Sequence, residues 1–433
     1  MQVVASKASL TGSITVPGSK SHTIRACLFA GLAHGTSHIY NPVASEDCLS
    51  AVKMIRNFGC SVDMRNNEWI VKGIGSKWPQ PSFVIDVGNS GTLLSFSAGI
   101  AATLHGYSVI TGDTSICKRP LEDELQGFRQ LGAKAFATRK GIDAPPVIIE
   151  GPIRSGLVRL KGTLSQHVSG TLMAAALTEG ITRIELSDPG EIPFVKMTVG
   201  WLESLGAHVE YDHENYVWYE ITGPNIFLPF DKTIPSDWES VAFPVVAGIL
   251  THSEIVIDNI DMSSTQGDKA IIDLLNEMGA HIETDTANAR LIVHPTNELH
   301  GITASLSDFP DALPVLSIAA AFAHGRSQFT NIGVCRLKET DRITLMRKEL
   351  TKLGVVCTEG TDYLEVNGMG GQGIHGGSIK SYDDHRIAMA FAVCGLALPP
   401  EYAIVINNAE CCSVSFPHFY ESMNGIGAGY KIK

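Results

Sequence analysis

Several cations in this sequence stand where helix electrostatics disfavours them. Lys20 follows Gly18-Ser19 and Arg386 follows Asp383-Asp384-His385, and each leads into a largely apolar run with the look of a buried helix. The start of a helix carries partial positive charge and unpaired N–H groups, so Ser19, Ser90, Asp237 and Asp384 suit that position as caps and a cation does not. A cation becomes favourable there when an anion sits between it and the backbone N–H groups. Six polar leaders of this kind occur: Gly18-Ser19-Lys20-Ser21, Gly88-Asn89-Ser90-Gly91-Thr92, Leu164-Ser165-Gln166, Ser236-Asp237, Asp308 with Asp311, and Asp383-Asp384-His385-Arg386. Two charged segments join them. Gly112-Asp113 leads to Lys118-Arg119-Pro120, and Arg336-Leu337-Lys338-Glu339-Thr340-Asp341-Arg342 holds five charges in seven residues. Capping accounts for the Ser, Asn and Asp residues, and internal ion pairs account for part of the second segment. Neither explains Lys20, Arg25, Arg119, Arg342 and Arg386 together. Guanidinium groups grip carboxylate and phosphate in bidentate fashion, so this set describes a site for a small molecule with several negative charges.

The rest of the composition narrows the ligand. The chain has 433 residues with 33 Lys and Arg against 45 Asp and Glu, a net charge of −12, which repels nucleic acid and anionic membrane and requires any anion site to be locally basic. The P-loop spacing is absent around Gly18-Ser19-Lys20-Ser21, and no helical pattern follows the glycines at 368, 370, 371 and 373, so neither nucleotide signature is met. Nine cysteines form no CxxC pair, which points to reduced, buried thiols without metal. Met1 to Lys7 has no signal-peptide character and no apolar run is long enough to span a bilayer, so a cytosolic protein is expected.

The elements that position these residues recur with a fixed period. An amphipathic helical run, a hydrophobic-Gly-small step and a short strand occur six times, with the glycines at 59, 132, 206, 279, 354 and 427. The spacings of 73, 74, 73, 75 and 73 residues carry the repeat through the whole chain. Each glycine stands where a helix ends in a left-handed residue before a strand. Between these runs lie six apolar, small-residue helices, expected over 24–32, 93–102, 170–177, 241–250, 313–323 and 387–398. A helix with no polar face is a buried one. The pattern therefore predicts an α/β protein of six units of about 74 residues, arranged as two domains of three with helices inside and sheets outside.

Taken in order, Pro17-Gly18-Ser19-Lys20-Ser21 with Arg25, Gly88-Asn89-Ser90-Gly91-Thr92, Gly112-Asp113 with Arg119-Pro120, Ser165-Gln166, Asp311, Arg336 with Lys338 to Arg342, and Asp384-His385-Arg386 resemble the 5-enolpyruvylshikimate-3-phosphate synthase family. The resemblance implies the enolpyruvyl transferase fold, a two-domain inside-out α/β barrel, with an N-terminal domain over 20–229, a C-terminal domain over 1–19 plus 230–433, and the active site in the cleft between them. The implied reaction moves the enolpyruvyl group of phosphoenolpyruvate to the 5-hydroxyl of shikimate 3-phosphate through a tetrahedral intermediate, with release of phosphate. Asp311 would then be the hydroxyl base, with Lys20 and Glu339 sharing proton transfer. Lys20, Gly91, Arg119, Gln166, Arg342 and Arg386 would bind phosphoenolpyruvate, and Lys20, Ser21, Arg25, Ser165, Gln166, Asp311 and Lys338 the acceptor. No cofactor, metal, nucleic acid or membrane partner is implied, and a monomer is expected.

The sequence departs from the family pattern around the acceptor's phosphate. Leu164 stands for a serine, Glu191 for a phosphate-binding serine, Phe194 for a tyrosine, Val334 for an asparagine and Ser95 for an arginine. A carboxylate at Glu191 would oppose a phosphate dianion, with Thr163, Arg25 or Lys338 available to offset it. The alternative is an enolpyruvyl transferase acting on a different, non-phosphorylated hydroxyl acceptor.

Overall fold

Twelve α-helices of two kinds alternate in the computed structural model, which describes residues 1–433. In chain order they are Lys20–Leu32 (α1), Glu46–Asn57 (α2), Gly91–Thr103 (α3), Glu122–Gln130 (α4), Ser165–Leu177 (α5), Ile192–Ser204 (α6), Trp238–Leu250 (α7), Ile271–Glu277 (α8), Leu313–Phe322 (α9), Arg342–Lys352 (α10), His385–Leu396 (α11) and Phe419–Gly425 (α12). The odd-numbered helices have almost no exposed face, and in α7 and α11 every residue is buried. Their many Ala, Gly and Ser residues let the backbones approach, as where Gly99 of α3 meets the Gly170 carbonyl of α5 at a distance that admits no side chain. The even-numbered helices each have one buried face. Glycines 59, 132, 206, 279, 354 and 427 follow them with φ between 95° and 107°, the left-handed conformation the repeat predicted.

Six four-stranded sheets share one plan. In each, the first strand pairs parallel to the second and the remaining pairs are antiparallel, as in Ile85–Asp86 beside Gly106–Thr111, then Val147–Gly151, then Lys134–Ala137. Parallel neighbours need a crossover, and the buried helix supplies it: α3 lies in sequence between the first two of these strands. Two lead strands are exchanged. Gly12–Thr15 pairs with Ile255–Asp258, and Asp231–Thr233 pairs with His34–Tyr40. Residues 1–17 with 235–433 form one unit and 18–234 the other, each around its own apolar core. No helix is long and apolar enough to cross a membrane.

Five of the six buried helices start earlier than the apolar pattern predicts, and α9 starts at Leu313 as expected. α1 begins at Lys20 rather than 24, α5 at Ser165 rather than 170 and α7 at Trp238 rather than 241. Hydrophobicity marks where a helix is buried, whereas its first turn is set by the cap. Ser19 and Ser90 accept from the N–H of His22 and Leu93, so the polar leaders are themselves the first helical turns.

Candidate functional site

In the unit of residues 18–234 the first turns of α1, α3 and α5 hold Lys20, Ser21, Gly91, Ser165 and Gln166, while Arg25 lies one turn further along α1 and Arg119 in the segment before α4. Lys20 is the first residue of α1 and nearly buried, and its Nζ lies 3.1 Å from Asp47 Oδ2 in the first turn of α2. Gly91, Arg119 and Gln166 meet at one point. A Cβ on Gly91 would stand 2.4 Å from Arg119 Nη1 and 3.0 Å from Gln166 Oε1, so the missing side chain is what lets the guanidinium and the amide converge. Arg119 is held there by the loop before it, in which Asp113 Oδ1 accepts from the N–H groups of Ser115 and Ile116, each at 2.9 Å.

Arg25 and Ser165, two of the expected acceptor residues of this unit, are engaged with the protein. Arg25 donates from Nε to Thr198 Oγ1 at 3.0 Å, from Nη1 to the Ser21 carbonyl at 2.9 Å and from Nη2 to the Phe194 carbonyl at 3.1 Å, with its guanidinium 5.0 Å from the centre of the Phe96 ring. Glu191 reaches Ser165. Its Oε2 accepts from the Ser165 N–H at 3.1 Å and from the Ser165 hydroxyl at 3.0 Å, both buried. Leu164 stands at the cap position of α5 and makes no side-chain cap, so Glu191, itself held at φ 49°, caps that helix from 26 residues away. The departures at Leu164 and Glu191 are thus one structural exchange. A hydroxyl lost from the cap position is replaced by a carboxylate from the start of α6.

In the unit of residues 1–17 and 235–433 the charges form one buried network. Arg342 has no exposed surface. Its Nε donates to Asp384 Oδ2 at 2.8 Å, its Nη2 to Asp384 Oδ1 at 3.2 Å and to Glu339 Oε2 at 2.6 Å, and its Nη1 to Asp311. Arg342, expected from the sequence to meet a ligand, has four of its five N–H donors engaged by three carboxylates, a partnership invisible in a sequence window. Arg336 is likewise internal, bonded to Asp341, Thr344 and the carbonyls of Gly360 and Thr361. Asp311 keeps a face to solvent beside three cations, with Lys338 Nζ and Arg386 Nε each 3.7 Å away and Arg342 in direct contact. Burial alone would raise its pKa, but Lys338, Arg386 and Arg342 outweigh that and hold it far below the usual carboxylate range.

Arg386 is the second residue of α11, whose cap Asp384 accepts from the Arg386 N–H at 3.0 Å. Its Nη2 contacts Glu239 of α7. Sequence reasoning missed Glu239, although it is the one charged side chain in an otherwise apolar helix, and that oddity was the available signal. Asp268 was missed as well and gave none. It is buried near Glu239, Asp311, Asp237 and Arg386, and neither of its oxygens is hydrogen-bonded. Carboxylates outnumber cations here, so the local excess of positive charge expected from the sequence is not found in this unit. Counting cations along a chain omits the acids that folding brings to them.

A family model described as EPSP synthase (3-phosphoshikimate 1-carboxyvinyltransferase) matches residues 4–423. A 3-phosphoshikimate 1-carboxyvinyltransferase of Ruminiclostridium cellulolyticum is 41% identical over 426 residues, covering 98% of each chain. Another, from Acetivibrio thermocellus, is 38% identical over 428 residues, 99% of this chain and 98% of that one. Among solved structures, EPSP synthase from Acinetobacter baumannii superposes with a TM-score of 0.83 at 28% identity and full coverage of both chains. The enolpyruvyl transferase NikO from Streptomyces tendae shares the fold with a TM-score of 0.80 at 18% identity, over 99% of this chain and 98% of that one.

Proposed function

Because this chain belongs to the EPSP synthase family, we propose that it transfers the enolpyruvyl group of phosphoenolpyruvate to the 5-hydroxyl of shikimate 3-phosphate, with the groups described above in divided roles. The observation that carries the reading is Asp311, a carboxylate kept ionised among Lys338, Arg342 and Arg386. A base must be ionised to take the hydroxyl proton, and cations beside it hold an anionic substrate within reach. So many cations also weaken a base. An anion bound at Arg386 and Lys338 draws their charge away from Asp311 and raises its basicity once substrate is in place.

In this reading Arg386, Arg119, Gln166 and Lys20 bind phosphoenolpyruvate, and Gly91 leaves room for it. Arg342 acts from behind by orienting Asp311 and Glu339. Lys20 and Glu339 carry the proton that reaches the methylene carbon. Glu339 is the poorer acid while Arg342 holds its carboxylate. Ser21, Arg25, Ser165, Gln166, Asp311 and Lys338 surround the acceptor. An acceptor without a phosphate, the alternative raised by Glu191, is not favoured by a family match that runs almost end to end.

The test is release of inorganic phosphate from phosphoenolpyruvate on addition of shikimate 3-phosphate, with unphosphorylated shikimate in parallel. Turnover with the phosphorylated acceptor is expected, and Asp311→Asn lowers kcat by about 10²- to 10⁴-fold while phosphoenolpyruvate still binds. Turnover with shikimate alone, or an unchanged kcat in Asp311→Asn, would refute the assignment.

A further inference from the structure

Arg386, one of the cations assigned to the proposed phosphoenolpyruvate site, is already in contact with a carboxylate. Glu239 Oε2 meets its Nη2, and both side chains are almost wholly buried. A ligand anion that takes the Nη2 edge of this guanidinium competes with Glu239, and a buried carboxylate stripped of its partner is costly. The structure holds a second group suited to relieve that cost. Gln266 Oε1 accepts from the Trp238 N–H at 3.1 Å and its Nε2 donates to the Ser236 carbonyl at 2.9 Å, which latches residues 266–268 onto the first turn of α7. Asp268, two residues on, is thereby held near the start of α7, the turn that carries Glu239, and is 2% exposed with no hydrogen bond to either oxygen. A buried carboxyl without a partner is rare and demands an explanation in what the site does.

We propose that Glu239 is a positioning residue that holds Arg386 in the empty site and passes to the carboxyl of Asp268 when phosphoenolpyruvate takes the guanidinium. Arg386 exchanges one carboxylate for another, and Glu239 exchanges Arg386 for the O–H of Asp268, so no buried charge is left alone in either state. The proton stays on Asp268 throughout. Its being there follows from its surroundings: burial, then the charges of Glu239 and Asp311, raise its pKa well above the ordinary value, with Asp237 adding to them and Arg386 opposing. This inference rests on the reading of Arg386 as a phosphoenolpyruvate ligand.

Calorimetric titration of the full chain with phosphoenolpyruvate, from neutral to alkaline pH, separates the two. Arg386→Ala tests the reading itself: an unchanged Kd for phosphoenolpyruvate means that the anion does not use this guanidinium. With that role established, Glu239→Gln, which keeps the shape and removes the competing charge, is expected to tighten phosphoenolpyruvate binding about tenfold, the worth of one charge-assisted hydrogen bond. In the wild type binding weakens at alkaline pH, as Asp268 loses the proton it offers Glu239. Asp268→Asn, whose amide donates at every pH, is expected to abolish that weakening without loss of affinity at neutral pH. Unchanged or weaker binding in Glu239→Gln, or an alkaline loss that persists in Asp268→Asn, would overturn the exchange.

Discussion

Replacing Glu191 by alanine removes the acceptor for two buried donors at the start of α5, the N–H and the hydroxyl of Ser165. An N-cap is worth about 1 kcal/mol and a hydrogen bond to a charged group about 1.5 to 3, so the local cost is about 2 kcal/mol. Because Leu164 offers no replacement, nothing nearby absorbs it. The loss is confined to the first turn of α5, so the suitable assay is amide hydrogen exchange of peptides covering residues 163–170, which reads local opening apart from the unfolding of either unit. At tenfold per 1.4 kcal/mol, exchange there speeds up about thirtyfold. Glu191→Gln, which still accepts but without charge, falls between. The decisive variant is Leu164→Ser in the Glu191→Ala background. A serine at the cap position accepts from the N–H of Gln166 or His167 instead and returns about 1 kcal/mol to the same first turn, slowing exchange about fivefold. If exchange is unchanged in Glu191→Ala, or if the added serine restores nothing, Glu191 is not the cap of α5 and the two departures are unrelated.

Gly91→Ala places a Cβ 2.4 Å from Arg119 Nη1 and 3.0 Å from Gln166 Oε1, so the guanidinium must move. The expected result in steady-state kinetics is a KM for phosphoenolpyruvate raised about tenfold, one lost charge-assisted contact, with a smaller change in the KM of the acceptor. Glu124 is fully buried, and burial, opposed by Ser95 and aided by the charge of Asp123, lifts its pKa well above the ordinary value. A carboxyl that is raised on folding binds its proton more tightly in the folded chain, so stability falls as pH climbs above the unfolded value of about 4.3. Glu124→Gln removes that slope, and its urea midpoint should exceed the wild-type midpoint by a margin that widens from about pH 5 to about pH 8. A margin independent of pH would mean that Glu124 is ionised in the folded state.

Features that depend on near neighbours along the chain are legible in the amino-acid order alone. The sixfold repeat, the helices without a polar face and the glycines that end the amphipathic helices are local facts, governed by the period of hydrophobicity and by one residue's φ, and they appear in the fold as read. The gathering of chemistry at helix starts was equally legible, because a cap bonds within three or four residues of itself. Helix boundaries were less so: Lys20, Ser165 and Trp238 begin their helices although the apolar pattern starts later.

Which charge faces which depends on contacts between residues far apart in the chain. Arg342 and Asp384 are 42 residues apart, Arg386 and Glu239 are 147 apart, and Glu191 crosses 26 residues to cap a helix that is not its own. Nothing in a window of sequence marks such pairs, because their distance is fixed by how six helix-and-sheet units pack and not by their spacing along the chain. That is why the sequence shows Arg342 as a cation but not the three carboxylates gathered around it. It is also why Asp268, in a segment with no distinguishing pattern, becomes visible only once folding has set it, without a hydrogen-bond partner, beside Glu239.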